Sequence, residues 1–362
     1  MATIELRQVE KKFGNAYAVK PMDLTIHDGE FVVLLGPSGC GKTTTLRMIS
    51  GLEAVTGGRI YLNGKDVTWL PSSERNIAFV FQFFALYPHM TVRENIAFPL
   101  ESQGEKRATI EQRVGEVVKM LEIEPLLKLR PGTLSGGDQQ RVALARALVR
   151  RPACFLMDEP LGALDAEFRE AMRAEIKRLH LAQNATTVYV THDQIEAMAM
   201  GDRIVVMSNA VVQQVGTAAD VYHNPANLFV ANFIGSPGMN LVTGKRAEGT
   251  VCLPGDNCYP VSESWRAALA KASSDEVTLG FRPEVAQIKP DGAVAGQVYK
   301  TDLHGSYTML HVNLEGDLIV HIRAGKETIY PIGTPVRFDL NPDMVRFFDP
   351  KTEAALQREV RQ

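Results

Sequence analysis

The residues Gly36-Pro-Ser-Gly-Cys-Gly-Lys42-Thr43 follow directly on the apolar run Phe31–Leu35 and lead into a helix-forming stretch. A buried strand, a glycine-rich turn and a helix in that order commit a chain to an α/β sheet with its loop at the strand's carboxyl end. The glycines let successive backbone N–H groups turn inward around a phosphate, and the helix points its positive end at the same anion. In this spacing Lys42 supplies a point charge to the β- and γ-phosphates, and the Thr43 hydroxyl can ligate Mg²⁺. Gly36, Pro37, Ser38, Gly39, Cys40, Gly41, Lys42, Thr43 and Thr44 therefore read as a nucleotide-binding loop. Cys40, inside that loop at a helix N-terminus, reads as a thiol of lowered pKa.

Further β-branched runs support a mostly parallel sheet over the first 235 residues: Ile77–Phe81, Cys154–Met157, Thr187–Thr191 and Ile204–Met207. Between them, the period predicts a helix from Ala108 to Leu127 with Val114, Val117, Val118 and Leu121 inward. A second helix, Asp165–Leu181, is predicted to bury Phe168, Met172, Ile176 and Leu179. Gly235-Ser-Pro-Gly238 punctuates the chain, and beyond it short β-branched runs with frequent Gly and Pro predict a small all-β barrel or sandwich.

Composition excludes several classes. Hydrophobic residues make up 45% and charged residues 22%, an ordinary globular balance. The net charge is -3, and residues 236–362, with 14 Lys+Arg against 16 Asp+Glu, carry -2 of it, which disfavours tracking along nucleic-acid phosphates. No apolar run approaches the ~18 residues of a membrane span, and the N-terminus has no signal-peptide core, so a cytoplasmic location is expected. The cysteines at 40, 154, 252 and 258 are too few and scattered for a disulfide framework or zinc site. Cys252 and Cys258 could pair or bind metal, but the expectation is a structural role.

Cys154-Phe-Leu-Met-Asp158-Glu159 is an apolar strand ending in two acids. Beside a phosphate loop, Asp158 suits a Mg²⁺ contact and Glu159 suits a general base on the attacking water. Leu134-Ser135-Gly136-Gly137-Asp138 opens another helical run, Arg141–Val149. Read alone, Ser135 with Asp138 is an ordinary helix cap. Lying 20 residues before the acid pair, the motif makes the chain resemble the ATP-binding cassette ATPases, whose signature is LSGGQ. Asp138 departs from that pattern, and a carboxylate there could repel a γ-phosphate.

The resemblance implies an α/β P-loop NTPase: an ABC cassette with a RecA-like core over residues 1–235 and a helical subdomain at about 83–151. It also implies site roles. Gln82 would reach metal and water, His192 would contact the γ-phosphate, and Asp165 would lie in the loop Leu161–Asp165 linking two active sites. Phe13 would stack on adenine, while Ser135, Gly136 and Gly137 would bind the γ-phosphate of a second subunit. Glu159, His192, Gln82 and Lys42 form the expected catalytic set, and Thr43, Gln82 and Asp158 the expected metal set, for ATP and Mg²⁺. Phe83–Met90 is either packed under the helical subdomain or docked on a partner. Its similarity to a stretch of sugar-importer ATPases implies docking of a transmembrane coupling helix.

Phe233–Asn240 and Gly280-Phe-Arg-Pro-Glu284 resemble stretches of carbohydrate-uptake importer ATPases, the maltose and glycerol-phosphate group. Residues 236–362 would then be an OB-fold-like, TOBE-type regulatory and dimerisation domain that could accept a regulatory protein. One copy of each motif implies a homodimer, or a heterodimer with a paralogous ATPase. The partners implied are two transmembrane permease subunits and an extracytoplasmic solute-binding protein. The expected place is the cytoplasmic face of the bacterial inner membrane, peripherally attached, with no nucleic acid. The expected cargo is a sugar, polyol or glycerol phosphate. The alternatives are importers of polyamine, sulfate, iron or molybdate and, more remotely, a nucleic-acid-linked cassette ATPase.

Overall fold

The computed structural model describes residues 2–358 apart from Ala163, Asp256, Asp317 and Thr328. The chain divides into two compact units, Met1–Ala218 and Ala219–Gln362. The first runs β1 (Ile4–Phe13), β2 (Ala16–Ile26), β3 (Phe31–Leu35), α1 (Lys42–Ser50), β4 (Gly57–Leu62), β5 (Lys65–Asp66), β6 (Ile77–Val80), α2 (Val92–Ser102), α3 (Arg107–Met120), α4 (Gly136–Leu148), β7 (Cys154–Asp158), α5 (Ala166–Gln183), β8 (Thr186–Thr191), α6 (Gln194–Met200), β9 (Arg203–Ser208) and β10 (Val211–Gly216).

Two sheets build this unit. An antiparallel sheet has the order β2-β1-β4-β5, and a six-stranded sheet has the order β10-β9-β3-β8-β7-β6, parallel except for the β9–β10 pair. All five residues of β3 are fully buried, as a strand covered on both faces requires. The register sets the site. Asp158 pairs with Val190, Val190 with Leu34, and Val80 with Met157, so the loops after β3, β6, β7 and β8 leave the sheet at one edge. Arg75, only 4% exposed, donates to the carbonyls of Met48 and Ile49 at the end of α1 and to those of Thr68 and Leu70. It reinforces the Met48 carbonyl, which also accepts from the Gly51 N–H, gives the Ile49 carbonyl a donor at the helix C-terminus, and places a cation there.

Two helices differ from their sequence expectation. α3 stops at Met120 rather than reaching Leu127, because Glu122 adopts φ 55° and Pro125 lies in the following 3-10 turn, Glu124–Leu126. In α5 the residues Met172, Ile176 and Leu179 are buried as expected, whereas Phe168 is 44% exposed. Asp165 caps α5 by accepting from the Phe168 N–H, and the Phe168 ring lies against Gly137, where an added Cβ would approach its Cδ1 to 2.9 Å. The ring therefore serves the start of α4 instead of the sheet.

The second unit runs α7 (Ala218–His223), α8 (Leu228–Phe233), β11 (Asn240–Ala247), β12 (Thr250–Leu253), β13 (Asn257–Pro260), α9 (Glu263–Ala270), β14 (Glu276–Phe281), β15 (Ala286–Ile288), β16 (Val294–Leu303), β17 (Thr308–Glu315), β18 (Leu318–Ala324), β19 (Pro335–Leu340) and β20 (Arg346–Phe348). Its two antiparallel sheets, ordered β13-β12-β11-β14-β20 and β15-β19-β16-β17-β18, share a core that includes Trp265, Phe281, Phe338 and Phe347. Trp265 from α9 packs edge-on to Phe347 at 5.2 Å.

Candidate functional site

The glycine-rich loop joins β3 to α1, and two of its glycines are dictated by space. A Cβ on Gly36 would come within 2.2 Å of the Met207 carbonyl oxygen. Gly41 has φ 106°, and a Cβ there would meet the Ala18 carbonyl oxygen at 2.5 Å. Gly41 is also the N-cap of α1 and offers no side-chain acceptor, and the first turn holds no acidic residue. The leading amides of α1 are thus left for an anion. The Lys42 ammonium, 5% exposed, is held at the loop by the carbonyls of Gly36 and Pro37 at 2.8 and 2.9 Å.

Thr43 reaches across from α1 to β7, its hydroxyl donating to Asp158 Oδ1 at 2.8 Å. Burial pushes the Asp158 carboxyl up, opposed first by the Thr43 hydrogen bond and then by the charges of Arg47 and Lys42. A hydroxyl and a carboxylate side by side are hard oxygen donors, the chemistry Mg²⁺ takes when phosphates and water fill its other positions. Among the described residues, no group of three or more His, Cys, Asp or Glu could hold a metal by itself.

Glu159 is the meeting point of the remaining loops. Gln82, after β6, donates to its Oε2 at 3.4 Å, and His192, after β8, contacts the same oxygen through Nδ1 at 3.1 Å. In the tautomer that carries its hydrogen on Nδ1, His192 is the donor of this pair and the Glu159 oxygen accepts. Glu159 has φ 44°, a left-handed backbone held by its N–H to the Val190 carbonyl and by the Gly162 N–H to its own carbonyl. A non-glycine residue in that region costs ~1–3 kcal/mol, strain of the kind that collects at functional positions.

The other sequence-predicted residues have partners of their own. Phe13 is 55% exposed at the end of β1, with the Lys11 ammonium 4.9 Å from its ring centre. Asp165 is committed to capping α5, and Ala163 of the same loop lies outside the described residues. Ser135 caps α4, and an added Cβ on Gly136 or Gly137 would meet Leu164 or Phe168. Both oxygens of the half-buried Asp138 carboxylate are engaged: Ser135 Oγ donates to Oδ2 at 2.7 Å and Arg141 donates to Oδ1 at 2.5 Å. Cys40 corrects its expectation. It is 3% exposed, and burial pushes its thiol up, outweighing the Lys42 charge that acts to lower it.

Two anchoring residues were not foreseen. Asn95, fully buried, accepts from the Tyr87 N–H at 2.8 Å and donates to the carbonyls of Tyr87, Met90 and Thr91. Arg146 of α4 donates to the carbonyls of Phe84 and Ala85, which have φ 53° and 52°. The loop after Gln82 is thereby tied to the helix that Ser135 begins. No local pattern announces Arg146, whereas Asn95 follows the capping box Thr91–Glu94, which is readable. Beside this loop is a groove of about 540 Å³ lined by Phe79, Phe81, Ala85, Tyr87, Phe98 and Arg146, among others, and Phe83 is 78% exposed.

Comparison with known proteins gives three family matches: ABC transporter over residues 19–162, MalK OB fold domain over 235–285 and TOBE domain over 279–348. The sulfoquinovosyl glycerol transport ATP-binding protein of Agrobacterium fabrum is 43% identical, covering 98% of this chain and all of that one. An sn-glycerol-3-phosphate import ATP-binding protein of the same organism is 44% identical over 99% of this chain and 96% of its own. Among solved structures, the dimeric post-hydrolysis ATP-binding cassette MJ0796 bound to ADP and Pi is 36% identical. It matches 59% of this chain and 98% of its own, with a TM-score of 0.54.

Proposed function

We propose, for a chain that belongs to the ATP-binding proteins of ABC transporters, that Glu159 is the base of an ATPase driving solute import through separate membrane subunits. The observation that carries this reading is the convergence of Gln82 and His192 on one Glu159 oxygen, beside the Thr43–Asp158 pair. Lys42 and the amides of α1 bind the phosphates, and Thr43, Asp158 and Gln82 would hold Mg²⁺. When bound, the ion would supply neutralisation of the phosphate charge. Glu159 takes the proton of the attacking water, while His192 and Gln82 orient its carboxylate. Phe13 stacks on the base. Two copies pair so that Ser135, Gly136 and Gly137 of one close the site of the other, with Asp165 in the connecting loop.

Residues 1–235 are assigned the nucleotide-binding role and 236–362 the dimerising and regulatory one, in keeping with the matches at 235–285 and 279–348. No helix among the described residues is long and apolar enough to cross a membrane. The groove lined by Phe81, Ala85 and Tyr87 suits a short helix of a permease subunit, which would hold the protein at the inner face of the membrane. The cargo is a sugar, polyol or glycerol phosphate, a reading supported by relatives named for sulfoquinovosyl glycerol transport and sn-glycerol-3-phosphate import. Deleting the gene should abolish ATP-dependent uptake of at least one such solute. The wild-type gene should restore it and Lys42→Ala should not; full restoration by Lys42→Ala would overturn the reading.

The Ser135 hydroxyl proton is engaged by Asp138, so it competes with any phosphate for that donor. Asp138→Gln exchanges a charged acceptor for a weaker neutral one and should raise the ATPase rate by about 3- to 10-fold, equivalent to one hydrogen bond of ~1 kcal/mol. An unchanged rate would mean that Arg141 already neutralises Asp138 and that the signature tolerates the acid.

A further inference from the structure

Cys252 and Cys258 stand directly opposite each other on β12 and β13, their sulfurs 3.2 Å apart. The ladder defines what kind of pair they are. Val261 N–H donates to the Gly249 carbonyl at 3.0 Å, so residues 249 and 261 form a hydrogen-bonded pair. Pro260, opposite Thr250, has no N–H to give. Alternation then makes Val251 with Tyr259 a bonded pair and Cys252 with Cys258 a non-bonded one. Such pairs hold Cα atoms ~4.5 Å apart, within the ~4.4–6.8 Å over which a disulfide closes. The register is pinned, because Val251, Leu253 and Tyr259 are in the core while Cys252 is half-buried and Cys258 exposed.

We propose that Cys252 and Cys258 are a cross-strand dithiol that closes reversibly to a disulfide by exchange with a low-molecular-weight disulfide such as oxidised glutathione. Cys258, the exposed sulfur, attacks the small disulfide as thiolate, breaking its S–S bond and releasing one small thiolate, which takes up a proton. Cys252 then displaces the second small thiol from Cys258 and forms the intrachain bond. The two protein thiols lose two protons and two electrons, and the small disulfide gains both, becoming two thiols. Metal capture is disfavoured, since no third ligand completes a site among the described residues. The remaining cysteines are poor competitors: Cys40 is buried in the phosphate loop, and burial pushes the Cys154 thiol up to about 12. Closure would staple β13, the edge strand of its sheet, to β12.

The test uses the full chain equilibrated in oxidised or reduced glutathione, alkylated and digested with trypsin, which releases residues 247–266 carrying both cysteines. In oxidised glutathione this peptide should lose the mass of two hydrogens and both alkylation sites together, and dithiothreitol should restore them. Cys258→Ser and Cys252→Ser should instead trap one glutathione on the remaining thiol, at least about tenfold above the wild-type adduct. Thermal melts by circular dichroism check that both variants fold, with the Ala variants in reserve. Two thiols that stay alkylatable in excess oxidised glutathione, or a wild type that accumulates the adduct without closing, would overturn the proposal.

Discussion

Glu159→Gln is expected to bind ATP, hold the ATP-bound dimer together and lose about 10²- to 10⁴-fold in turnover, the range for removing a general base. The amide keeps the shape and can still accept from His192 Nδ1, so the cluster around it should persist. What it cannot do is take a proton from water. The loss corresponds to ~3–5 kcal/mol at the transition state with nucleotide affinity preserved. Single-turnover hydrolysis and size-exclusion chromatography in ATP measure the two halves of the expectation. Turnover within about threefold of wild type would remove Glu159 from the role of base. Loss of ATP binding would instead show that the left-handed turn at Glu159 had been disturbed.

The second large effect lies in the other unit. Arg282→Met is expected to destabilise residues 219–362 by ~3–5 kcal/mol, because three carbonyls, two of them buried, lose their donor. Arg282 is 2% exposed and donates through Nε and Nη2 to the Tyr222 carbonyl and through Nη1 to those of Ala231 and Ile234, with its guanidinium 4.2 Å from the Tyr222 ring centre. Burial pushes its pKa down, so the cation is held by carbonyls at a desolvation cost. Lysine cannot supply the fork, and Arg282→Lys should recover little. The readout is built in: Trp265 is 2% exposed and Trp69 is 70% exposed, so the urea-induced red shift reports the second unit. At ~1–3 kcal/mol per molar urea, its midpoint should fall by at least ~1 M. An unchanged midpoint would deny Arg282 this role.

The same residue explains why a short stretch was recognisable before its purpose was. Gly280-Phe-Arg-Pro-Glu284 has Gly280 where a Cβ would meet Met239 Sδ and Phe348 Cε2 at 2.6 and 2.7 Å, then the buried Arg282. Pro283 opens a 3-10 turn, and Glu284 accepts from the Tyr222 hydroxyl at 2.9 Å. The motif holds a helical segment against a sheet. Its resemblance to importer ATPases carried the family, while the physical reason needed contacts up to 62 residues away.

Phe168 and Cys40 mark where periodicity and local dipole arguments lost to surroundings. Phe168 sits on the apolar stripe of α5, yet it lies in the first turn of the helix, where its ring finds Gly137. Cys40 is at a helix N-terminus, yet desolvation in a packed loop outweighs the nearby charge.

What the sequence determined by itself are the features whose parts are contiguous: the phosphate loop behind β3, the cap of α4 at Ser135, the apolar strand ending in Asp158-Glu159, and the change of architecture after Gly235. Backbone geometry over a few residues suffices to make each, so spacing alone reveals it. The tertiary structure decided what strand register decides. It set one Glu159 oxygen between Gln82 and His192, which are 77 and 33 residues away in the chain. It tied the Gln82 loop to α4 through Arg146, and it brought Cys252 to face Cys258 across a non-bonded pair. Those meetings depend on which edges align when apolar faces are buried, and a one-residue slip would abolish every one that lies on a strand.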